Sequence, residues 1–259
     1  MRQNLARAKL IDGQPVVNGW CSLPCAYSAE VMAHQGYDTL TIDMQHGAIG
    51  YESAVAILRA ISTTPTVPFA RVPWHDPGLM MKLLDAGAYG LICPMVNNAA
   101  IAEQFVAACR YPPRGFRSFG PNRATLYSAA GSSAAYAAAA DHEILLFAMI
   151  ETRDGFANLE EILGVPGLDG VYIGPGDLSL ALGAPPSMAP SEPSVVAAIA
   201  SVLQAAKRHG RFAAVHTDGP ATARDRFREG FGLCTLQGDV RLLADAARKQ
   251  VEETRAMSR

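Results

Sequence analysis

The chain reads as one (β/α)8 barrel, and three observations predict it. Eight short, β-rich apolar runs alternate with longer stretches whose apolar residues recur at three- and four-residue steps, the rhythm of repeated βα units over a parallel sheet. Gly36, Gly87, Gly164, Gly210 and Gly230 stand where those helical stretches should stop. The 259 residues match the size at which such a barrel folds as one domain, so residues 1–259 are read as a single unit. An open doubly wound sheet is the alternative, but eight units close more readily into a barrel.

The runs Val16–Ser22, Thr39–Met44, Val67–Val72 and Gly90–Val96 supply strands one to four, and Ile144–Glu151, Gly170–Gly174, Phe212–His216 and Gly232–Gln237 supply strands five to eight. Most are nearly all apolar, as strands covered on both faces must be. Helices are expected over Gly50–Ser62, Pro77–Ala86, Ala99–Arg110, Gly155–Leu163, Pro193–His209, Pro220–Glu229 and Val240–Arg255. Two stretches break the rhythm. The first, Tyr111–Asp141, lies between strands four and five; placed after a strand it would stand at the C-terminal mouth as a lid. The second is the Pro-rich Gly183–Pro193 after strand six.

Composition removes several function classes. Hydrophobic residues at 49% and charged residues at 18% allow a large core, and a net charge of -2 without a basic run argues against nucleic acid as a partner. The start of the chain carries no apolar signal core and no stretch reaches about 18 uninterrupted apolar residues, so neither export nor a membrane anchor is expected. Cys21, Cys25, Cys93, Cys109 and Cys234 are odd in number and lack metal-finger spacing, which suits reduced thiols in a cytoplasmic protein. Cys21 and Cys25 are read as packing residues.

Barrels of this kind place chemistry at the C-terminal ends of their strands, so polar residues that end apolar runs are the candidates. Strand two ends in Asp43 and His46, strand three in Arg71, strand five in Glu151, and the run through strand six in Asp177. Strands five and six should be neighbours about 4.8 Å apart, which lets Glu151 and Asp177 converge. Two bare carboxylates that close repel; a divalent cation resolves the repulsion, and an all-oxygen set favours Mg²⁺ or Mn²⁺, with Co²⁺ also allowed. His34, His75, His142 and His209 lack such a setting, while His216 ends strand seven and stays a minor candidate. Each residue alone has an ordinary structural explanation, an ion pair or a helix cap; the joint placement favours function.

At these residues the sequence resembles the HpcH/HpaI aldolases, the metal-dependent pyruvate aldolases that include 4-hydroxy-2-oxoheptanedioate aldolase. The resemblance runs from about Gly19 to Arg248. It rests on Ile42-Asp43-Met44-Gln45-His46-Gly47, Arg71-Val72-Pro73 with Asp76-Pro77, Leu83-Leu84-Asp85-Ala86-Gly87 and Pro94-Met95-Val96-Asn97-Asn98-Ala99. It continues through Arg110-Tyr111-Pro112-Pro113-Arg114-Gly115-Phe116-Arg117, Ile150-Glu151-Thr152 and Gly170–Ser179. It implies a barrel of the phosphoenolpyruvate/pyruvate type and reversible aldol chemistry on a 2-oxo acid, pyruvate or hydroxypyruvate, with an aldehyde. It further implies Glu151 and Asp177 as metal ligands and Arg71 as the cation that holds the 2-oxo acid's carbonyl oxygen. His46, oriented by Asp43, would move protons through a water on the metal, and the amides of Gly176 and Asp177 would receive the substrate carboxylate. Asp85 matches an acid that assists the histidine of a neighbouring subunit, and the family's usual assembly is a homo-hexamer whose last helix packs on a neighbour. The chain departs from the common pattern at Gln45, where Glu is usual, and at Met149, where Gln is frequent.

Elementary chemistry agrees with that implication. Abstracting a methyl proton beside a ketone near neutral pH needs fixed positive charge at the developing oxyanion, which a metal and a guanidinium supply. No lysine ends a strand, which disfavours a Schiff-base aldolase. The rival activities are a coenzyme A-thioester lyase and an oxaloacetate decarboxylase, both using the same enolate; a non-catalytic binding barrel is the remaining rival.

Overall fold

The structure is a computed structural model and describes residues 1–256. A short helix α1 (Leu5–Ile11), capped by the Asn4 side chain on the Arg7 amide, leads into β1 (Val16–Cys21), α2 (Ala26–Ala33) and β2 (Thr39–Asp43). There follow α3 (Tyr51–Ile61), β3 (Val67–Arg71), α4 (Pro77–Asp85), β4 (Gly90–Cys93) and α5 (Ala99–Cys109). Two further helices, α6 (Asn122–Tyr127) and α7 (Ser133–Glu143), precede β5 (Leu145–Ile150), α8 (Arg153–Ala157), α9 (Leu159–Leu163) and β6 (Gly170–Ile173). The chain ends with α10 (Pro175–Ala181), α11 (Pro193–Arg208), β7 (Phe212–His216), α12 (Pro220–Glu229), β8 (Leu233–Gly238) and α13 (Asp239–Ala256).

All eight strands pair in parallel with their sequence neighbours, and β8 closes on β1 through the Val16–Leu233, Val17–Cys234 and Asn18–Thr235 pairs. The closed (β/α)8 barrel expected from the alternation is therefore the fold. Strand side chains alternate between its two cores. Ile42, Ala70, Val72, Leu146, Ala148, Ile150, Val171, Ile173 and Val215 pack outward under the helices. Val67, Phe69, Leu145, Phe147, Met149, Tyr172, Ala214 and Leu233 fill the interior. That parity decides what reaches the mouth: counting by twos from Phe69 gives Arg71, from Phe147 and Met149 gives Glu151, and from Ala214 gives His216.

Several expectations are corrected. Tyr111–Asp141 follows helix α5 rather than strand β4, so it lies at the N-terminal end of the barrel and is no lid. Arg123 of α6 donates to Ala86 O, and its Nη2 lies 3.3 Å from Leu58 O and Ser62 Oγ, groups at the C-terminal ends of α4 and α3. Strand four stops at Cys93, and the expected helix Gly155–Leu163 divides at Asn158 into α8 and α9. Gly36, Gly87, Gly210 and Gly230 have positive φ as helix stops should, but Gly164 does not; the left-handed turn comes at Gly167. Cys21 is buried, whereas Cys25 is exposed at the start of α2 and packs against nothing central; all five thiols are free.

No helix among the described residues is long and apolar enough to cross a membrane. The last helix, α13, buries only Asp239; Val240, Leu242, Leu243 and Val251 face solvent.

Candidate active site

Asp43 and Arg71 are register partners on β2 and β3. Arg71 Nε donates to Oδ1 at 2.9 Å and Nη2 to Oδ2 at 2.8 Å, a two-pronged pair with both side chains almost wholly buried. The Trp20 indole N–H adds a bond of 3.1 Å to Oδ2, and the guanidinium lies 4.8 Å from the Trp20 ring centroid. Burial alone would raise the Asp43 carboxyl; Arg71, Trp20 and the His46 amide outweigh it and hold the group below the usual carboxylate range.

Asp43 therefore orients His46 through the main chain. Its Oδ1 accepts from the backbone amides of Gln45 at 3.1 Å and His46 at 3.3 Å, while the imidazole itself is exposed and has no side-chain hydrogen bond among the described residues. Beside it, Gln45 Oε1 is buried without a partner.

Glu151 follows β5 on the interior parity and is 3% exposed. Its Oε1 accepts from the Met95 amide at 2.8 Å, and Met95 holds a left-handed φ of 55° to present that amide. Oε2 has no donor among the described residues. Burial, only partly offset by the Met95 amide, pushes the carboxyl up to about 7; the charge of Asp177 adds to the rise and Arg71 opposes it. Gly174 is required here: a Cβ would lie 2.7 Å from Glu151 Oε2 and 3.1 Å from Met149 Cε.

Asp177 is exposed and sits in the first turn of α10, the third residue after its cap Gly174, with neither a side-chain hydrogen bond nor an ion pair among the described residues. Pro175 opens that helix, so the amides of Gly176 and Asp177 are its first free donors. Among the described residues no group of three or more His, Cys, Asp or Glu gathers for a metal. The arrangement at the mouth is instead two carboxylates, one buried with a free oxygen and one fully free, a donor set suited to a hard cation that keeps water or substrate in its other positions.

Asp85 is not part of this constellation within one chain. It ends α4 at the opposite face of the barrel, where its Oδ1 accepts from the fully buried Arg117 at 2.6 Å. Among the other histidines, His75 is fixed by Pro94 O at 2.8 Å and His209 pairs with Glu160 at 2.7 Å. His216 is half-buried, 5.0 Å from the Trp20 ring, with Nδ1 3.2 Å from the Tyr172 hydroxyl.

Sequence reasoning missed Trp20, Tyr172 and the Met95 amide. The two rings were detectable by parity, since both fall on interior positions; a backbone amide leaves no trace in a sequence. Two clefts, of about 460 Å³ near Arg110 and about 410 Å³ near Leu10, open at the N-terminal end. A smaller one of about 320 Å³ opens at the mouth between Gly176, Met188, Asp218 and Arg241.

Comparison with known proteins follows the same geometry. The family model described as HpcH/HpaI aldolase/citrate lyase matches residues 19–244. A hydroxypyruvate/pyruvate aldolase of Rhizorhabdus wittichii is 42% identical, covering 98% of this chain and 100% of the relative. A 4-hydroxy-2-oxo-heptane-1,7-dioate aldolase of Escherichia coli is 35% identical over 95% of this chain and 92% of its own. The crystal structure of a HpcH/HpaI aldolase/citrate lyase family protein from Burkholderia cenocepacia superposes with a TM-score of 0.89 at 32% identity, covering 98% of this chain and 100% of that one. The chain belongs to the HpcH/HpaI aldolase/citrate lyase family and is an aldehyde-lyase.

Proposed function

We propose that the chain cleaves a 4-hydroxy-2-oxo acid reversibly into pyruvate or hydroxypyruvate and an aldehyde, with Glu151 and Asp177 holding a divalent metal, Mg²⁺ or Mn²⁺ first and Co²⁺ as an alternative. The observation that carries the reading is Glu151: a buried carboxylate with one oxygen fixed by the Met95 amide, the other free, and the charge of Asp177 acting on it. A metal bound there supplies Lewis-acid stabilisation of charge on the substrate's 2-oxo group.

The remaining roles fall to the chain's own side chains. Arg71 spends Nε and Nη2 on Asp43, leaving Nη1 to meet the 2-oxo oxygen. When the C3–C4 bond breaks, its electron pair passes toward that oxygen, and a fixed guanidinium opposes the new charge without reorganising. His46 takes the proton of the 4-hydroxyl as the aldehyde forms and delivers it to C3 of the enolate to complete the 2-oxo acid; condensation runs the two transfers in reverse. The free amides of Gly176 and Asp177 receive the substrate carboxylate at the start of α10.

The working form is a homo-oligomer, a hexamer by family resemblance, in which α13 rests on a neighbouring copy and Asp85 serves a neighbour's His46. The exposed Leu242 and Leu243 and the distance of Asp85 from its own mouth support that assembly.

The test is aldol cleavage and condensation with a panel of aldehydes, with and without chelator, for the wild type, Glu151→Ala and Asp177→Ala. Loss of turnover on chelation, recovery with Mg²⁺ or Mn²⁺, and inactive variants are expected. Activity that survives chelation, or survives either substitution, overturns the assignment.

A further inference from the structure

Beneath the mouth, a line of polar side chains crosses the barrel interior: Asn18, Thr235, Tyr172 and His216, on β1, β8, β6 and β7. Its direction can be worked out from fixed points. The backbone carbonyls of Gly19 and Thr39 accept only, and one end of the Asn18 amide lies 3.1 and 3.2 Å from them, so that end is the nitrogen. The Asn18 oxygen then lies 2.8 Å from Thr235 Oγ1 and 3.0 Å from Thr41 Oγ1, and both hydroxyls donate to it.

Thr235 has spent its one proton, so across the 2.6 Å contact the Tyr172 hydroxyl is the donor. Tyr172 has then spent its own, so across 3.2 Å the His216 Nδ1–H donates to the phenol oxygen. This leaves His216 Nε2 with a bare lone pair at the half-exposed end of β7. Burial, together with the positive charge of Arg71, lowers the imidazole to about 4, so the lone pair is unprotonated at neutral pH.

The ring also stands in the right place. His216 meets the Trp20 indole edge-on at 5.0 Å, and Arg71 lies 4.8 Å from the same indole. Arg71 on β3 and His216 on β7 stand four strands apart with the Trp20 ring touching both, so a 2-oxo acid whose carbonyl oxygen meets Arg71 can extend its C3 substituent past Trp20 toward the imidazole.

We propose that His216 Nε2 is the hydrogen-bond acceptor for a hydroxyl on C3 of the 2-oxo acid, and that it sets the preference for hydroxypyruvate-type over pyruvate-type donors. The inference rests on the aldolase reading above. It differs from that reading in needing no metal ligand, only the order of protons along the interior line.

The test compares kcat/KM for hydroxypyruvate and pyruvate with one aldehyde, in the wild type, His216→Leu, His216→Gln and Tyr172→Phe. The ratio of hydroxypyruvate to pyruvate falls about tenfold or more in His216→Leu, the order expected for an unmatched buried hydroxyl. It recovers in part in His216→Gln, whose amide oxygen can accept, and falls less in Tyr172→Phe, which frees the tautomer. An unchanged ratio, or two donors that decline in parallel, overturns the proposal. Nitrogen-15 NMR of the imidazole should show protonated Nδ1 and bare Nε2; the opposite tautomer overturns it whatever the turnover. A wild type that uses neither donor fails the aldolase reading instead, and the tautomer measurement still stands.

Discussion

Asp43 grips Arg71 at two points from the adjacent register position, through Nε and Nη2, and makes no bond to Nη1. Because both groups are buried, removing the acid strands a charge. Asp43→Ala should cost roughly 3–5 kcal/mol of stability, the range for breaking a buried pair, and lower kcat by at least tenfold. Since the Asp43 carboxyl sits below its unfolded value, its contribution is fully present above the ordinary carboxylate range and is lost as pH falls through the depressed value. Thermal melts of wild type and Asp43→Ala from pH 3 to pH 7 check both points; equal stability at pH 7 would contradict them.

Glu151 carries the opposite sign. In the metal-free protein its carboxyl rises from an ordinary 4.5 to about 7, so the folded state holds the extra proton in that window. Stability should fall as pH rises through the window, by about 3 kcal/mol in all. Glu151→Gln removes this slope, so the metal-free variant becomes the more stable protein at pH 8. For the same reason, a Mn²⁺ held by Glu151 as proposed would displace a proton below pH 7, and its stabilising effect on the wild type should be larger at pH 8 than at pH 6. Calorimetric melts with and without Mn²⁺ decide this.

Gly174 is a steric gate on the same carboxylate. A Cβ 2.7 Å from Oε2 forces Glu151 to turn. Gly174→Ala should therefore weaken Mn²⁺ binding by about tenfold or more, the scale of effects from residues that orient metal ligands. The fold should survive. Titration calorimetry checks this, and unchanged affinity would show that the ligand has another place to go.

Asp85 and His46 lie at opposite ends of one barrel, so they provide a test of assembly. Asp85→Asn and His46→Asn should each be inactive alone. Mixed and reassembled, they should regain a fraction of wild-type activity, because some junctions pair an intact Asp85 with an intact His46. Leu242→Glu with Leu243→Glu should shift the sedimenting species toward the monomer. Absence of complementation would leave Asp85 as a partner for Arg117 and nothing more.

The barrel was legible because each strand is an apolar run and its interval is kept by helical spacing. Asp43, Arg71 and Glu151 were legible because a polar residue ending such a run points at the mouth. Asp177 was found, but its setting was not: Gly174-Pro175-Gly176 starts a helix, so the acid rises from a first turn rather than a strand end. Met95 could not be found, since it contributes only an amide held at a strained φ. The side taken by Tyr111–Asp141 depended on whether a strand or a helix precedes it, and Ala99–Cys109 is the helix that reverses the expectation.

Asp239 receives the amides of Ser22 at 2.9 Å, Leu23 at 3.1 Å and Val240 at 2.8 Å. One carboxylate thus clasps the tail of the last stave to the tip of the first. A ribosome must deliver the chain through Asp239 before the seam can be fastened, and a shortened chain keeps its fastening only if the cut falls beyond that residue. Trimming α13 from Val240 onward and trimming it from Asp239 onward are for this reason different operations, one sparing the hoop and the other opening it.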